Sequence, residues 1–188
     1  MTPPRAAAQP RARGLHRPAA GAVLIALMAL TTCAGQATGP TWAGVEARIT
    51  EAFPDVPSID TAGLSELLRN PLQKVVLIDV REPDEFAVSH LRGAVRATSI
   101  DQVAAMVHDA PADATIVAYC SVGYRSGRLV ADLRERGVTQ VYNLEGSIFR
   151  WANEDRPLYR GDVPVRQVHP FDESWGTLLH ADRRSYLP

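Results

Sequence analysis

Two cysteines in 188 residues, Cys33 and Cys120, are too few for a disulfide framework or a four-thiolate zinc site. Lysine is nearly missing: of 20 basic residues only Lys74 is a lysine, which we read as a compositional bias of the genome rather than a functional feature. Neither sign of charge prevails, the formal net charge being −1, so the chain lacks the basic footprint of a nucleic-acid binder and none is expected as a partner. His108, His169 and His180 stand at no metal-ligand spacing, so neither a metal nor a bound cofactor is expected. Long hydrophobic runs are also lacking. The longest, Ala19 to Leu30, falls short of the roughly 20 residues that a membrane span requires. What remains is ordinary globular composition, 46% apolar and 22% charged, which excludes wholesale disorder, collagen-like repeats and a coiled coil. A domain of about 150 residues buries roughly 68–70% of its unfolded surface and needs no disulfide or metal to hold it together.

Residues 1–37 differ from the rest. Arg5, Arg11, Arg13 and Arg17 lie in a stretch without an acid, the apolar run follows, and small residues close the segment. A basic flank, a short apolar centre and a small-residue exit are the parts of a secretory signal. Export to the periplasm or cell envelope is therefore expected. Two processing routes stay open. Leu30-Thr31-Thr32-Cys33 resembles a lipobox, departing from it at Thr32, and would make Cys33 a lipidated first residue. Cleavage after Ala37, following Gly35-Gln36-Ala37, would leave a soluble chain. Contact with a membrane is expected only through this signal or a lipid anchor. Either route leaves Cys120 as the single free thiol.

Beyond the leader, 38–56 reads as a lead-in and an amphipathic helix, Thr41 to Phe53, with Val45, Ile49 and Phe53 four apart. Ser58-Ile59-Asp60 suits a brief strand, and Thr61 is expected to cap a helix over Ala62–Arg69. Val75 to Val80 is an apolar run of strand length, and Pro83 opens a short helix to about Ser89. Ile100 to Val107 reads as helix, Ala114 to Tyr119 as a second buried strand, and Ser126 to Arg136 as a helix with Leu129, Val130 and Leu133 inward. A strand from Gln140 to Leu144 and a helix from Glu145 to Trp151 complete the series. Strands alternating with helices call for an α/β fold with a mainly parallel sheet covered on both faces.

Ligands of such sheets bind beyond the carboxyl ends of the strands. Two strand ends carry chemistry there: Asp79-Val80-Arg81 and Cys120-Ser121-Val122-Gly123-Tyr124-Arg125. Cys120 begins a loop that runs into a helix N-terminus, where free backbone N–H groups and the helix dipole favour a thiolate. Gly123 lets the loop curl, and Arg125 adds a cation. The competing reading of Cys120 is a buried structural thiol, since cysteine is among the most buried residues; its place in a strand-end loop argues against that.

Four segments carry a resemblance: V-L-I-D-V-R-E-P-D-E-F at 76–86, S-H-L-R-G-A-V at 89–95, C-S-V-G-Y-R-S at 120–126 and N-L-E-G-S-I-F-R-W at 143–151. In this order they resemble a single-domain rhodanese, over residues 57–157. The resemblance implies a rhodanese-like fold, with a five-stranded parallel sheet and helices on both faces. It also implies sulfur transfer. Cys120 would take the outer sulfur of a small anionic donor such as thiosulfate, and its persulfide would pass that sulfur to cyanide or a thiol, a protein thiol included. The amides of residues 121–125 would hold the persulfide. Arg125 would either orient the donor or tie the loop to the Asp79/Glu82 region. Asp79 and Arg81 are expected mainly as supporting rim and scaffold residues, and Glu85 and His90 as helix-packing and capping positions rather than acid–base catalysts.

Two other functions compete. A cysteine phosphatase or arsenate reductase resembles this fold but separates its cysteine and arginine by five residues, whereas four separate Cys120 from Arg125, a smaller loop that suits a sulfur atom. A module that binds a partner or delivers sulfur without turnover is the other. Residues 158–188 form an extension whose Phe171, Trp175, Leu178, Leu179 and Tyr186 are expected to pack on the domain or, alternatively, to bind a partner.

Overall fold

The computed structural model describes Met1, Thr2 and residues 39–188. The apolar run, both candidate cleavage sites and Cys33 lie outside the described residues. In chain order the elements are α1 (Trp42–Ala52), β1 (Ser58–Ile59), α2 (Thr61–Arg69), β2 (Val75–Asp79), α3 (Pro83–Val88), β3 (Val95–Arg96) and α4 (Ile100–Asp109). Then come β4 (Thr115–Tyr119), α5 (Tyr124–Glu135), β5 (Val141–Leu144) and α6 (Ser147–Asn153), followed by β6 (Leu158–Arg160), β7 (Val163–Val165) and the short α7 (Glu173–Gly176).

Five strands form one sheet in the order β1-β5-β4-β2-β3, and every pairing in it is parallel. The α/β architecture expected from alternating elements is the one observed. β2 and β4 sit centrally, in register from Val75 opposite Thr115 to Asp79 opposite Tyr119. Alternate residues of a strand face opposite ways, so these two strands feed two cores. Leu77, Val117 and Tyr119 pack with Val45, Leu64, Ile148 and Phe149 on the face that carries α1, α2 and α6. Ile78, Ile116 and Ala118 pack with Val103, Val107, Val130 and Leu133 of α4 and α5 on the other. Strands buried on both faces need continuous apolar runs rather than alternation, which is why these two could be read directly.

Three local expectations are corrected. Asp60, not Thr61, caps α2: its carboxylate accepts the Gly63 N–H at 2.7 Å, while Thr61 is the first helical residue and donates to Glu154. A carboxylate satisfies the orphan amides as well as a hydroxyl does and also meets the positive end of the dipole. α5 begins at Tyr124, two residues earlier than expected, because Gly123 adopts a left-handed φ of 107° and closes the loop in its own backbone. β3 and the β6–β7 hairpin were not foreseen. Val95 is 51% exposed and β3 is two residues long, so no apolar run marks it.

The extension is part of the packing. Leu158, Val168, Leu178 and Leu179 are buried in the same core as Leu77 and Tyr119. Asn153 fastens it by donating to the Leu178 carbonyl at 2.8 Å and accepting the His180 N–H at 2.9 Å. Phe171 and Tyr186 remain exposed.

Candidate active site

Cys120 follows β4 directly, and four further residues bring the chain into the first turn of α5. The backbone is pinned on both sides. Ser147 Oγ accepts the Cys120 N–H and donates to the Leu144 carbonyl, each at 3.1 Å. The carbonyls of Cys120 and Ser121 accept the N–H groups of Ile148 and Phe149 at 3.2 and 3.0 Å. Asn143 Nδ2 donates to the Gly123 carbonyl at 3.1 Å, and its Oδ1 accepts the Ser126 hydroxyl at 2.7 Å. The loop is thus held by the β5–α6 junction as much as by its own strand and helix.

The thiol is 1% exposed. Burial pushes its pKa up, but the Arg125 charge, the Ser126 amide and hydroxyl, and the Gly123 amide outweigh burial and hold it below the ordinary thiol value. Gly123 N–H donates to Sγ at 3.1 Å. At the start of α5 the first intrahelical bond is Gly127 N–H to the Gly123 carbonyl, so the amides of Tyr124, Arg125 and Ser126 have no acceptor within the helix.

Arg125 reaches neither Asp79 nor Glu82. Its Nη1 and Nη2 donate to the two carboxylate oxygens of Glu85 at 2.8 Å each, and Nη2 also donates to Ser121 Oγ at 2.9 Å. Ser121 Oγ in turn donates to Glu85 Oε1 at 2.8 Å. Glu85 does cap α3, accepting the Glu82 N–H at 3.0 Å, but it also anchors the cysteine loop. Burial raises its carboxyl pKa, and the Arg125 fork, aided by the Glu82 amide and Ser121, more than reverses that.

Of the rim and scaffold roles expected of Asp79 and Arg81, burial fits the scaffold role and not the rim. Both side chains are fully buried and form an ion pair of 2.7 Å, with Arg81 Nη2 also donating to the Ser89 carbonyl at 2.6 Å. They tie the end of β2 to the turn after α3, with the Asp79 carboxylate and the Ser89 carbonyl replacing water at Nε and Nη2 of Arg81 while its Nη1 is buried without a partner. His90 stacks on Phe86 with ring centroids 4.1 Å apart, and its Nδ1 lies 3.2 Å from the Phe86 carbonyl oxygen.

Above the thiol lies a cleft of about 420 Å³. Cys120, Ser121, Val122, Tyr124 and Arg125 form its floor; Val45 and Arg48 of α1, with Phe171 and Trp175 of the extension, form walls. Sequence reasoning assigned no site role to Ser126, Asn143, Ser147 or Arg48. A polar Asn inside a buried strand and a Gly-Ser pair after it were the signals available for the first junction; α1 offered none.

The model of the rhodanese-like domain matches residues 63–154. A sulfurtransferase of Allochromatium vinosum is 32% identical over 103 residues, an alignment covering 55% of this chain and 94% of that one. The chain belongs to the rhodanese-like domain family. YqhL of Bacillus subtilis is 37% identical over 89 residues, covering 47% of this chain and 70% of its own. The rhodanese-like fold is shared with the crystal structure of a thiosulfate sulfurtransferase from Pseudomonas aeruginosa, at TM-score 0.54 and 19% identity, covering 71% of this chain and 25% of that one. Arg48, Phe171 and Trp175 all lie outside the residues matched to the family.

Proposed function

We propose that this rhodanese-like chain is a sulfurtransferase that carries sulfane sulfur on Cys120, from thiosulfate or a similar donor to a thiophilic acceptor. The Cys120 thiolate attacks the outer sulfur of thiosulfate; the S–S bond of the donor breaks, and sulfite leaves with the electron pair. The Cys120 persulfide then gives its outer sulfur to cyanide, forming thiocyanate, or to a thiol, and the thiolate returns. The observation that carries this reading is the Gly123 N–H at 3.1 Å from Sγ, at the mouth of a helix whose first three amides lack helical acceptors. Such fixed donors stabilise a sulfur anion without reorganising, an oxyanion-hole logic applied to sulfur. A loop already closed on one sulfur atom also disfavours phosphate ester hydrolysis, which needs room for a tetrahedral anion.

Intact mass after thiosulfate tests it. A gain of one sulfur atom, reversed by cyanide and missing in Cys120→Ser, is expected; transfer retained in that variant would sink the mechanism. Thiocyanate formed over many cycles separates turnover from a delivery module that loads once. Export is proposed from residues 1–37, with the mature N-terminus as its test: a lipid on Cys33, a free residue after Ala37, or an unprocessed chain that would refute export.

A further inference from the structure

Two walls of the cleft lie outside the residues matched to the family. α1 precedes the family-matched residues and the Phe171–Trp175 segment follows them, yet both close over Cys120. The open cleft, of about 420 Å³, falls within the roughly 300–1,000 Å³ of sites that hold organic ligands and is far more than a small inorganic anion fills. Its lining is largely apolar: Val45, Val122, Tyr124, Phe171 and Trp175.

The two cations of the cleft are not equivalent. Arg125 has both ends of its guanidinium on Glu85 and the Phe171 ring at 5.1 Å, so the Glu85 charge already balances its own. Arg48 has no ion pair among the described residues; it lies 5.0 Å from the centroid of the Tyr124 ring, which keeps the charge at the wall of the cleft. Phe171 adds an observation of a different kind. It holds a left-handed φ of 68°, a conformation that costs a bulky residue energy, and local hydrogen bonds maintain it, Phe171 N–H to His169 Nδ1 at 3.0 Å and Asp172 N–H to the Pro170 carbonyl at 2.9 Å. That strain keeps a half-exposed ring over Arg125.

Building on the sulfur-transfer reading above, we propose that the cleft selects an organic sulfur donor, a thiosulfonate or persulfide with an apolar body beside the transferable sulfur and a carboxylate that meets Arg48. With a thiosulfonate, the Cys120 thiolate attacks the terminal sulfur, the S–S bond of the donor breaks, and the sulfinate leaves with the electron pair; no oxidant or reductant enters. The apolar body rests against Phe171 and Trp175, and Arg48 fixes its far end.

The test compares thiosulfate, benzenethiosulfonate and 4-carboxybenzenethiosulfonate as donors to the full chain, with cyanide as acceptor. Each kcat/KM is divided by the rate of the same donor with free cysteine, which removes intrinsic reactivity. Burying one aromatic ring predicts a preference for benzenethiosulfonate over thiosulfate of about tenfold or more. Arg48 is exposed, so the carboxylate adds about twofold to fivefold, as a solvent-facing ion pair would. Arg48→Gln abolishes the carboxylate increment and Arg48→Lys restores part of it. Phe171→Asn, which suits the left-handed backbone and so keeps the fold, shrinks the ring preference. Equal normalised values for all three donors would overturn the inference while leaving sulfur transfer standing, as would an Arg48→Gln variant that slows every donor by one factor. If none of the donors adds sulfur to Cys120, the sulfur-transfer reading falls and this inference falls with it.

Discussion

Replacing Glu85 by Gln keeps the volume of the side chain and removes its charge, and the surroundings make that change costly. The carboxylate accepts from the Glu82 amide, the Ser121 hydroxyl and both Nη atoms of Arg125. A Gln amide can offer one acceptor oxygen; its NH₂ must face groups that are themselves donors. Removing one member of a buried ion pair costs about 3–5 kcal/mol. Glu85 is 2% exposed but Arg125 is 32% exposed and recovers some hydration, so a value nearer 2–3 kcal/mol is expected. Because the Arg125 pair holds the Glu85 carboxyl below its ordinary value, its contribution is complete above the unfolded carboxyl pKa of about 4.3 and drains away as pH falls through the depressed native value. The gap between wild type and Glu85→Gln is therefore full at pH 7 and narrows below about pH 4. Urea unfolding followed by circular dichroism measures it, with a midpoint shift of about 1–2 M at neutral pH. A gap under about 0.5 kcal/mol at pH 7, or one that stays constant into acid, would refute the reasoning.

Alkylation of Cys120 by iodoacetamide should rise with a midpoint below that of an ordinary cysteine thiol. Arg125→Gln should move that midpoint up, since it removes a cation and leaves the Glu85 carboxylate unbalanced; an unmoved midpoint would show that the amides alone set it. Ser147→Ala orphans the buried Cys120 N–H and should cost about 1–3 kcal/mol by thermal unfolding. Gly123→Ala would force a side chain to φ 107°, with its Cβ 3.3 Å from Ile49 Cδ1 and 3.4 Å from the Leu144 carbonyl oxygen, and should lower persulfide yield along with stability. Gly137→Ala, at φ 83° in open space, carries backbone strain without the clash and should leave the yield intact.

How much of this was legible follows from where the information resides. β2 and β4 announce themselves because burial on both faces leaves little freedom in composition, and Cys120 stands out as the residue after a buried strand and before a helix. The partners that position it do not. Glu85 lies 35 positions before the cysteine in the sequence, and its pairing with Arg125 depends on β2 and β4 being neighbours, a tertiary fact. Asn143 and Ser147 were inside a recognised segment, but the register of β5 on β4 decides that they face the loop. The full burial of Asp79 and Arg81 was not legible, because charged side chains usually seek water; their own pairing and the Ser89 carbonyl offset part of the cost of the dry location. The β6–β7 hairpin had a local signal, Gly161-Asp162 between valine- and tyrosine-bearing segments, and Gly161 takes a φ of 57°. Arg48 gave none, since a lone arginine on an amphipathic helix is ordinarily a solvated face.

A nucleophile 1% exposed raises the question of why burial does not simply keep the sulfur neutral. Arg125 cannot be the whole answer, because the Glu85 carboxylate balances its charge. Besides lowering the thiol pKa through the Arg125 charge, the pair supplies position: the bidentate fork and Ser121 fix the loop edge. The anion is also met by fixed donors, the Gly123 amide on Sγ and the amide and hydroxyl of Ser126. Amides do not dissociate or swing away, so they serve an anion at either end of a persulfide, whose outer sulfur lies about 2 Å beyond Sγ. That matters for a carrier. A site that stabilised only the persulfide would hold the sulfur and release it slowly; one that stabilised only the thiolate would load poorly. For the proposed carrier, fixed donors favour both states, which keeps the transfer close to balanced.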